Sequence, residues 1–437
     1  MNRRNFLHRS SEGVAALAGV AALPRRVLGA NDRIRIGLVG CGSRGNYLME
    51  QVLRSAAALN STFCVAALCD VWSVNLERTV ASLAARQTTR PQTFKRYQDL
   101  LARGGVDAII IATPDFAHTP ILIDATQLRK DVFVEKPMAT VLDQANQAVR
   151  DVQRNNTIVQ VGTQRRSDRR HQAGAELVRS GILGTISEVE AAWHDASPRW
   201  ARDYSMVRRE DVDWEAYLMY LPREPFRPER FRRWHLYKDF TQGTPALLGA
   251  HLIDVAVWFM DDPLPHSAVA HGGVYVWKDG REHADTLDCV FEYPKGFLLN
   301  YSTRLGNMHA TPECQFFGTK GTFDTQSWTA SGEGGGADKI TTPVTVPDPA
   351  AHVASNGASN GASSGSSNAL AAAQNDPRIA GDGHMINWLE CLRTRQQPTA
   401  PVESGYAHTL ASIMAFQAWT TGRRQVFNPA TRTIRAG

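Results

Sequence analysis

Short apolar runs and amphipathic stretches alternate along the first part of the chain. Arg33–Val39, Phe63–Cys69, Ala108–Ala112, Val132–Glu135 and Thr157–Val161 are rich in β-branched and apolar residues and predict strands. Between them, Asn46–Ser55, Asn75–Arg86, Arg96–Leu101, Ala117–Leu128 and Leu142–Arg154 carry the helical period. This alternation predicts a parallel, doubly wound sheet that receives ligands beyond the carboxyl ends of its strands. Later runs at Ala268–Trp277, Asp285–Tyr293, Gly296–Arg304 and Glu313–Gly318 alternate apolar with polar residues, the pattern of an antiparallel sheet covered on one face. Two helices, His384–Arg393 and Gly405–Thr421, are expected to pack back on the rest of the chain.

Two segments depart from this pattern. Residues 1–30 read as a charged front containing Arg3 and Arg4, an apolar stretch Gly13–Leu23 and a small-residue exit at Leu28-Gly29-Ala30, which is the form of a twin-arginine export signal. The apolar stretch is too short to span a bilayer, so a periplasmic or otherwise exported protein without a stable membrane segment is expected. Residues 331–377 include N-G-A-S-N-G-A-S-S-G-S-S-N, a low-complexity insertion expected to be solvated and mobile. The remaining chain divides into a dinucleotide domain, 31–162, and a substrate and oligomerisation domain, 163–437.

Composition then removes one class of function. The 437 residues carry 48 Lys and Arg against 43 Asp and Glu, a formal charge of +5. Residues 1–30 hold five arginines and one glutamate, so the basicity belongs mostly to the export signal rather than to a nucleic-acid surface. The six cysteines are scattered without a C-x-x-C pair or zinc spacing, and no metal is expected.

The chemistry begins at Gly40-Cys41-Gly42-Ser43-Arg44-Gly45, a G-x-G-x-x-G between a predicted strand and helix. The first glycine permits the tight turn, the second lets a pyrophosphate approach the backbone, and the third brings helix and strand together. Asp70 ends the second strand, 25 residues after Gly45, where a carboxylate accepts from adenosine ribose hydroxyls and repels a 2′-phosphate. NAD is therefore favoured over NADP. Two further strand ends face the same side: Thr113-Pro114-Asp115-Phe116-Ala117-His118 and Glu135-Lys136-Pro137.

V-F-V-E-K-P (Val132–Pro137), A-T-P-D-F-A-H (Ala112–His118), V-G-T-Q-R-R (Val161–Arg166), G-A-H-L-I-D (Gly249–Asp254) and H-M-I-N-W-L-E-C-L (His384–Leu392), in this order behind G-C-G-S-R-G, resemble the glucose-fructose oxidoreductase, inositol dehydrogenase and rhizopine-catabolism (Gfo/Idh/MocA) family. The resemblance implies an N-terminal Rossmann domain and a C-terminal α/β domain with a large open, mostly antiparallel sheet. It also implies hydride exchange with a sugar or polyol carbinol, and a homo-oligomer. Lys136 matches the lysine that contacts cofactor and reacting hydroxyl; Thr113, Pro114, His118 and Glu135 join the cofactor side. His251 matches a general acid/base or substrate ligand, and Asp254 either orients it or serves structure. The family's usual carboxylate four residues before the histidine is here Leu247, for which Asp195, Asp239 or Asp254 could compensate.

Between Ile186 and Leu247 the chain is unusually aromatic and basic, suited to stacking on sugar C–H faces and gripping hydroxyls or carboxylates. Gln164, Arg165, Trp193, Trp234, His235 and Tyr237 are the substrate-wall candidates. An exported protein must carry its dinucleotide with it, so a tightly held NAD is expected. Three functions fit: an oxidoreductase of sugars, polyols or sugar acids; a redox-neutral glycosidase or lyase acting through a transient keto-sugar; and a non-catalytic sugar-binding protein.

Overall fold

The computed structural model describes residues 33–59, 63–348 and 381–437. Residues 1–30, read as an export signal, lie outside the described residues, as does the part of the low-complexity insertion from 349 onward. Among the described residues no helix is long and apolar enough to cross a membrane.

Six parallel strands form the first sheet: β1 (Ile34–Val39), β2 (Phe63–Cys69), β3 (Gln92–Phe94), β4 (Ala108–Ile111), β5 (Asp131–Val134) and β6 (Val159–Val161), in the order β3-β2-β1-β4-β5-β6. The order reverses beside β1, so the crevice for a dinucleotide opens between the ends of β1 and β4. All four residues of β4 and of β5 are buried, as required of central strands covered by helices on both faces.

The second sheet has ten strands. They are β7 (Ile186–His194), β8 (Ser267–Gly273), β9 (Thr286–Tyr293), β10 (Phe297–Arg304), β11 (Cys314–Gly318), β12 (Thr322–Asp324), β13 (Thr329–Ser331), β14 (Val344–Thr345), β15 (Gln425–Asn428) and β16 (Thr433–Ala436). Their order is β14-β13-β12-β11-β7-β10-β9-β8-β15-β16, and only the β7–β10 pair is parallel. One face is apolar: Val189, Phe291, Leu299, Tyr301, Phe316 and Phe323 are buried, and Phe259 of the helix Ala250–Met260 stacks on Phe316 at 5.4 Å. On the other face Val269 and Leu298 are exposed among polar neighbours.

Three features differ from the sequence pattern. Ile186–His194 is a strand, the partner that joins β10 to β11, although its aromatic end drew attention as a site wall. Within the expected mobile insertion, Ser331 and Val344–Thr345 instead continue the sheet edge, and Val346 is buried with its amide bonded to the Trp328 carbonyl. Thirdly, Pro245–Gly249 forms a single π-helical turn leading into Ala250–Met260. Gly249 allows that turn to lie against the Tyr301 ring, which an added Cβ would meet at 2.8 Å.

The helices Gly383–Thr394 and Val402–Thr421 return to the first sheet. Trp388 packs edge-on against Phe133 of β5 at 5.6 Å, and Asp382 receives both Arg54 and Gln51 from the helix Ser43–Ala58.

Candidate active site

The glycine turn has the geometry its spacing predicts. Gly40 has φ +95°, open to glycine at little cost, and a Cβ there would strike the Ala112 carbonyl oxygen at 2.6 Å. At Gly45 a Cβ would lie 1.9 Å from the Gly40 carbonyl oxygen. Gly42, the residue before the helix Ser43–Ala58, has nothing within 4 Å of a built Cβ, and Ser43 and Arg44 beside it are exposed. Open space above a helix N-terminus fits a pyrophosphate.

Asp70 sits at the carboxyl end of β2 and accepts from the amides of Cys41 (2.7 Å) and Trp72 (2.8 Å). It thus ties the glycine turn to the second strand. Burial pushes its carboxyl up to about 6, against the pull of those two amides. Arg44 reaches across to Glu135 at 2.6 Å, joining the glycine turn to the end of β5.

His118 is placed differently from expectation. It is 1% exposed, with Nδ1 2.7 Å from the Pro137 carbonyl oxygen and Nε2 2.8 Å from the Thr113 carbonyl oxygen. Each ring nitrogen faces a carbonyl oxygen, so the ring is wedged between the two strand-end turns rather than presenting an open nitrogen to a ligand. Pro114 precedes the helix Asp115–Gln127, and the buried Thr113 hydroxyl has no protein partner. That orphan hydroxyl suits a ligand in the crevice.

Lys136 projects from the end of β5 and donates from Nζ to the Leu247 backbone carbonyl at 2.6 Å. Burial lowers its pKa; among neighbouring charges Asp115 and then Glu135 raise it, while Arg44 and Arg165 lower it. Asp115 received no role from the sequence. It is 3% exposed, accepts from the Thr241 hydroxyl at 2.7 Å, and is pushed up to about 6 by burial, with His118 and Lys136 opposing. A carboxylate in the turn that follows a central strand was the available signal.

None of the three acids considered as substitutes for the missing carboxylate fills that place. Asp195 pairs with Arg199, Asp239 with Arg230, and Asp254 with Arg166. Asp254 is fully buried and takes Arg166 Nε at 3.0 and 2.9 Å on its two oxygens. Burial would raise its pKa, but Arg166 and His408 outweigh burial and hold it below the usual carboxylate range. It is not the orienting partner of His251, whose Nδ1 is buried without a partner. The i, i+3 spacing puts both residues on one helix, but only His251 joins the Lys136 surroundings.

His251 lies beside Trp193 (ring centroids 6.3 Å apart). Burial, then Lys136 and Arg165, press its pKa well below the ordinary value, so it is a neutral imidazole at pH 7. Around Leu247, Leu248 and Leu305 pack four indoles: Trp193, Trp200, Trp234 and Trp277. His235 stacks on both Trp200 (5.5 Å, 5°) and Trp234 (3.6 Å, 18°). Arg165 pairs with Glu313 at 2.7 Å, and Gln164 beside it is exposed. Tyr237 stands apart from the four indoles, under the Arg230 guanidinium at 4.7 Å and near Phe240. The structure therefore gathers Lys136, His251, Trp193, Trp234 and His235, and leaves Tyr237 and Asp254 in other surroundings. Among the described residues no group of His, Cys, Asp and Glu could hold a metal ion.

Comparison with known proteins agrees with the two-part fold. Residues 34–163 match the oxidoreductase family with an NAD-binding Rossmann fold, GFO_IDH_MocA, and residues 171–324 match the GFO/IDH/MocA C-terminal domain. A glycosyl hydrolase family 109 protein of Shewanella baltica is 27% identical over 215 residues, 44% of this chain and 46% of that protein. An inositol 2-dehydrogenase of Rubrobacter xylanophilus is 32% identical over 167 residues, 38% of this chain and 45% of that protein. The match thus spans less than half the length of these curated relatives. The WlbA dehydrogenase of Bordetella pertussis, solved with NADH and UDP-GlcNAcA, shares the fold with a TM-score of 0.63 at 20% identity, over 92% of this chain and 99% of that one. With both halves of the fold matched, the chain belongs to the Gfo/Idh/MocA family, with an NAD-binding Rossmann domain.

Proposed function

We propose that this protein holds NAD firmly and moves a hydride between it and a CH–OH carbon of a sugar, polyol or sugar acid. The observation that carries the proposal is the placement of Lys136, fixed at 2.6 Å on the Leu247 carbonyl, together with the neutral His251, within one aromatic wall at the carboxyl end of the parallel sheet.

The cofactor, when bound, supplies the hydride acceptor and donor. The glycine turn and the amides of the helix Ser43–Ala58 would hold its pyrophosphate, Asp70 its adenosine ribose, and Thr113 and Glu135 the crevice side. The Lys136 ammonium polarises the reacting hydroxyl oxygen, and His251, neutral with an unpartnered nitrogen, accepts the hydroxyl proton. In the reverse direction the imidazolium returns that proton. Trp193 and Trp234 offer flat faces to the sugar ring.

The export reading of residues 1–30 belongs to the same proposal: a passenger translocated folded keeps its NAD, and the hydride must return within the site. A homo-oligomer through the uncovered face of the second sheet, where Val269 and Leu298 are exposed, is also part of it. A second reading, a redox-neutral glycosidase or lyase, is favoured by Leu247 in the carboxylate's position and by the glycosyl hydrolase name of the Shewanella relative. Both enzymatic readings require NAD in the supernatant of the denatured purified protein. Paired ketose and alditol products support the first; nitrophenol release from nitrophenyl glycosides without net NADH supports the second. A protein that binds sugars but lacks NAD would instead be a binding module. Lys136→Ala should abolish turnover while the far-UV spectrum stays unchanged, and persistence of turnover would remove Lys136 from the mechanism.

A further inference from the structure

Among the described residues, left-handed backbone away from glycine is confined to a few places. Arg129, Asn156, Met219, Asp261 and Arg395 follow the ends of helices, and Trp328 and Arg432 turn between paired strands, where such φ values are ordinary. Arg199 (φ +35°) and Trp200 (φ +60°) remain, adjacent to each other and in neither setting. Two consecutive bulky residues in this region crowd their Cβ atoms against the chain, so the segment after β7 holds them there against their local preference.

The contacts that hold the pair lie on both sides of it. The Arg199 guanidinium pairs with Asp195 and stands 5.6 Å from the Trp193 ring centre. The Pro198 carbonyl accepts from Arg281, which is buried and donates at 2.8 Å to both Asp279 oxygens. The Trp200 carbonyl accepts from the Arg202 amide at 2.7 Å. The outcome is an indole laid parallel to His235, 5.5 Å away at 5°. His235 also stacks on Trp234 at 3.6 Å, and its Nδ1 is buried without a protein partner, a group that a ligand hydroxyl can satisfy. Trp200 itself is half-buried and packs on the Leu247, Leu248 and Leu305 cluster, whose Leu247 carbonyl anchors Lys136. Core packing alone needs no strained backbone, whereas presenting a partly open ring at a site commonly does. We propose that Trp200 is a binding residue for the carbohydrate: the left-handed Arg199–Trp200 turn sets its indole as a ledge for the C–H face of the sugar. The proposal rests on the reading of this crevice as a carbohydrate site and adds to it the residue that fixes affinity for the sugar.

Calorimetric titration of the purified NAD-containing chain with D-glucose, D-galactose and myo-inositol tests this, together with thermal unfolding of Trp200 variants. At least one of the three compounds should bind. Trp200→Leu, which keeps apolar bulk but no flat face, should weaken that binding about tenfold or more with bound NAD unchanged, whereas Trp200→Phe should keep most of it. The backbone makes a separate demand. Trp200→Gly should unfold at a higher temperature than Trp200→Ala, the reverse of their order at an ordinary position, because glycine accepts φ +60° without strain. Wild-type affinity in Trp200→Leu overturns the proposal, as does the absence of binding to all three compounds, or an alanine variant at least as stable as the glycine one. Loss of bound NAD in Trp200→Leu with sugar affinity intact would assign the ring to the cofactor, and equally overturns it. The titration reads binding alone, so a Trp200-dependent affinity without turnover leaves this inference standing while refuting hydride transfer. Turnover with an affinity indifferent to Trp200 does the opposite.

Discussion

Lys136 is anchored by the main chain of Leu247: its Nζ donates to that carbonyl at 2.6 Å. A carbonyl fixes the ammonium without cancelling its charge, which a carboxylate in the same position would do. That carbonyl lies in the π-helical turn at Pro245–Gly249.

Because the anchor is backbone, the Leu247 side chain can be separated from it. Leu247 is 6% exposed among the indoles, so Leu247→Ala should cost about 2–4 kcal/mol through lost burial and the cavity left behind. Thermal unfolding should show the lower Tm, while the pH dependence of turnover stays where it was. A displaced pH profile would mean that the side chain, too, sets the state of Lys136.

Asp115 makes the opposite demand on stability. Its carboxyl rises on folding to about 6, so the folded state binds its proton more tightly than the unfolded chain does. Stability from this group is complete below about pH 4 and is lost as pH climbs through 6. Asp115→Asn should therefore unfold at a higher temperature than wild type at pH 7.5, by the equivalent of about 3 kcal/mol at most, and at the same temperature near pH 4. Turnover should fall in the same variant, because the strongest negative charge acting on Lys136 is gone. Equal Tm differences at both pH values would show that folding does not raise the Asp115 pKa.

His118 holds two turns at once. His118→Ala should cost about 2–3 kcal/mol by leaving the Thr113 and Pro137 carbonyls without the ring between them. Since Lys136 precedes Pro137, kcat should drop by more than tenfold with KM little altered, a split visible in steady-state kinetics. A change in KM alone would point to a substrate contact instead.

What the sequence disclosed was local. The glycine turn, Asp70 and the two strand-end motifs each lie within a few residues, and their spacing carries their geometry. Arg166 and Asp254 are 88 residues apart, and nothing in the i, i+3 spacing of His251 and Asp254 hints that a distant guanidinium claims the acid. The Leu247 contact was hidden for another reason, because a main-chain carbonyl has no residue type to recognise. Ile186–His194 concealed a strand because its glutamates alternate onto the open face while attention falls on Trp193 and His194.

Trp388 against Phe133, and Asp382 against Arg54 and Gln51, bear on the order in which this protein can be made. The first sheet emerges from the ribosome early, yet one of the layers that covers it is encoded some 250 residues after β5. Until Gly383–Thr394 is synthesised, Phe133 and its neighbours lack their cover, and the nascent sheet exposes apolar surface to solvent and to chaperones. Completion of the dinucleotide domain is thus tied to completion of the chain rather than to synthesis of the glycine turn.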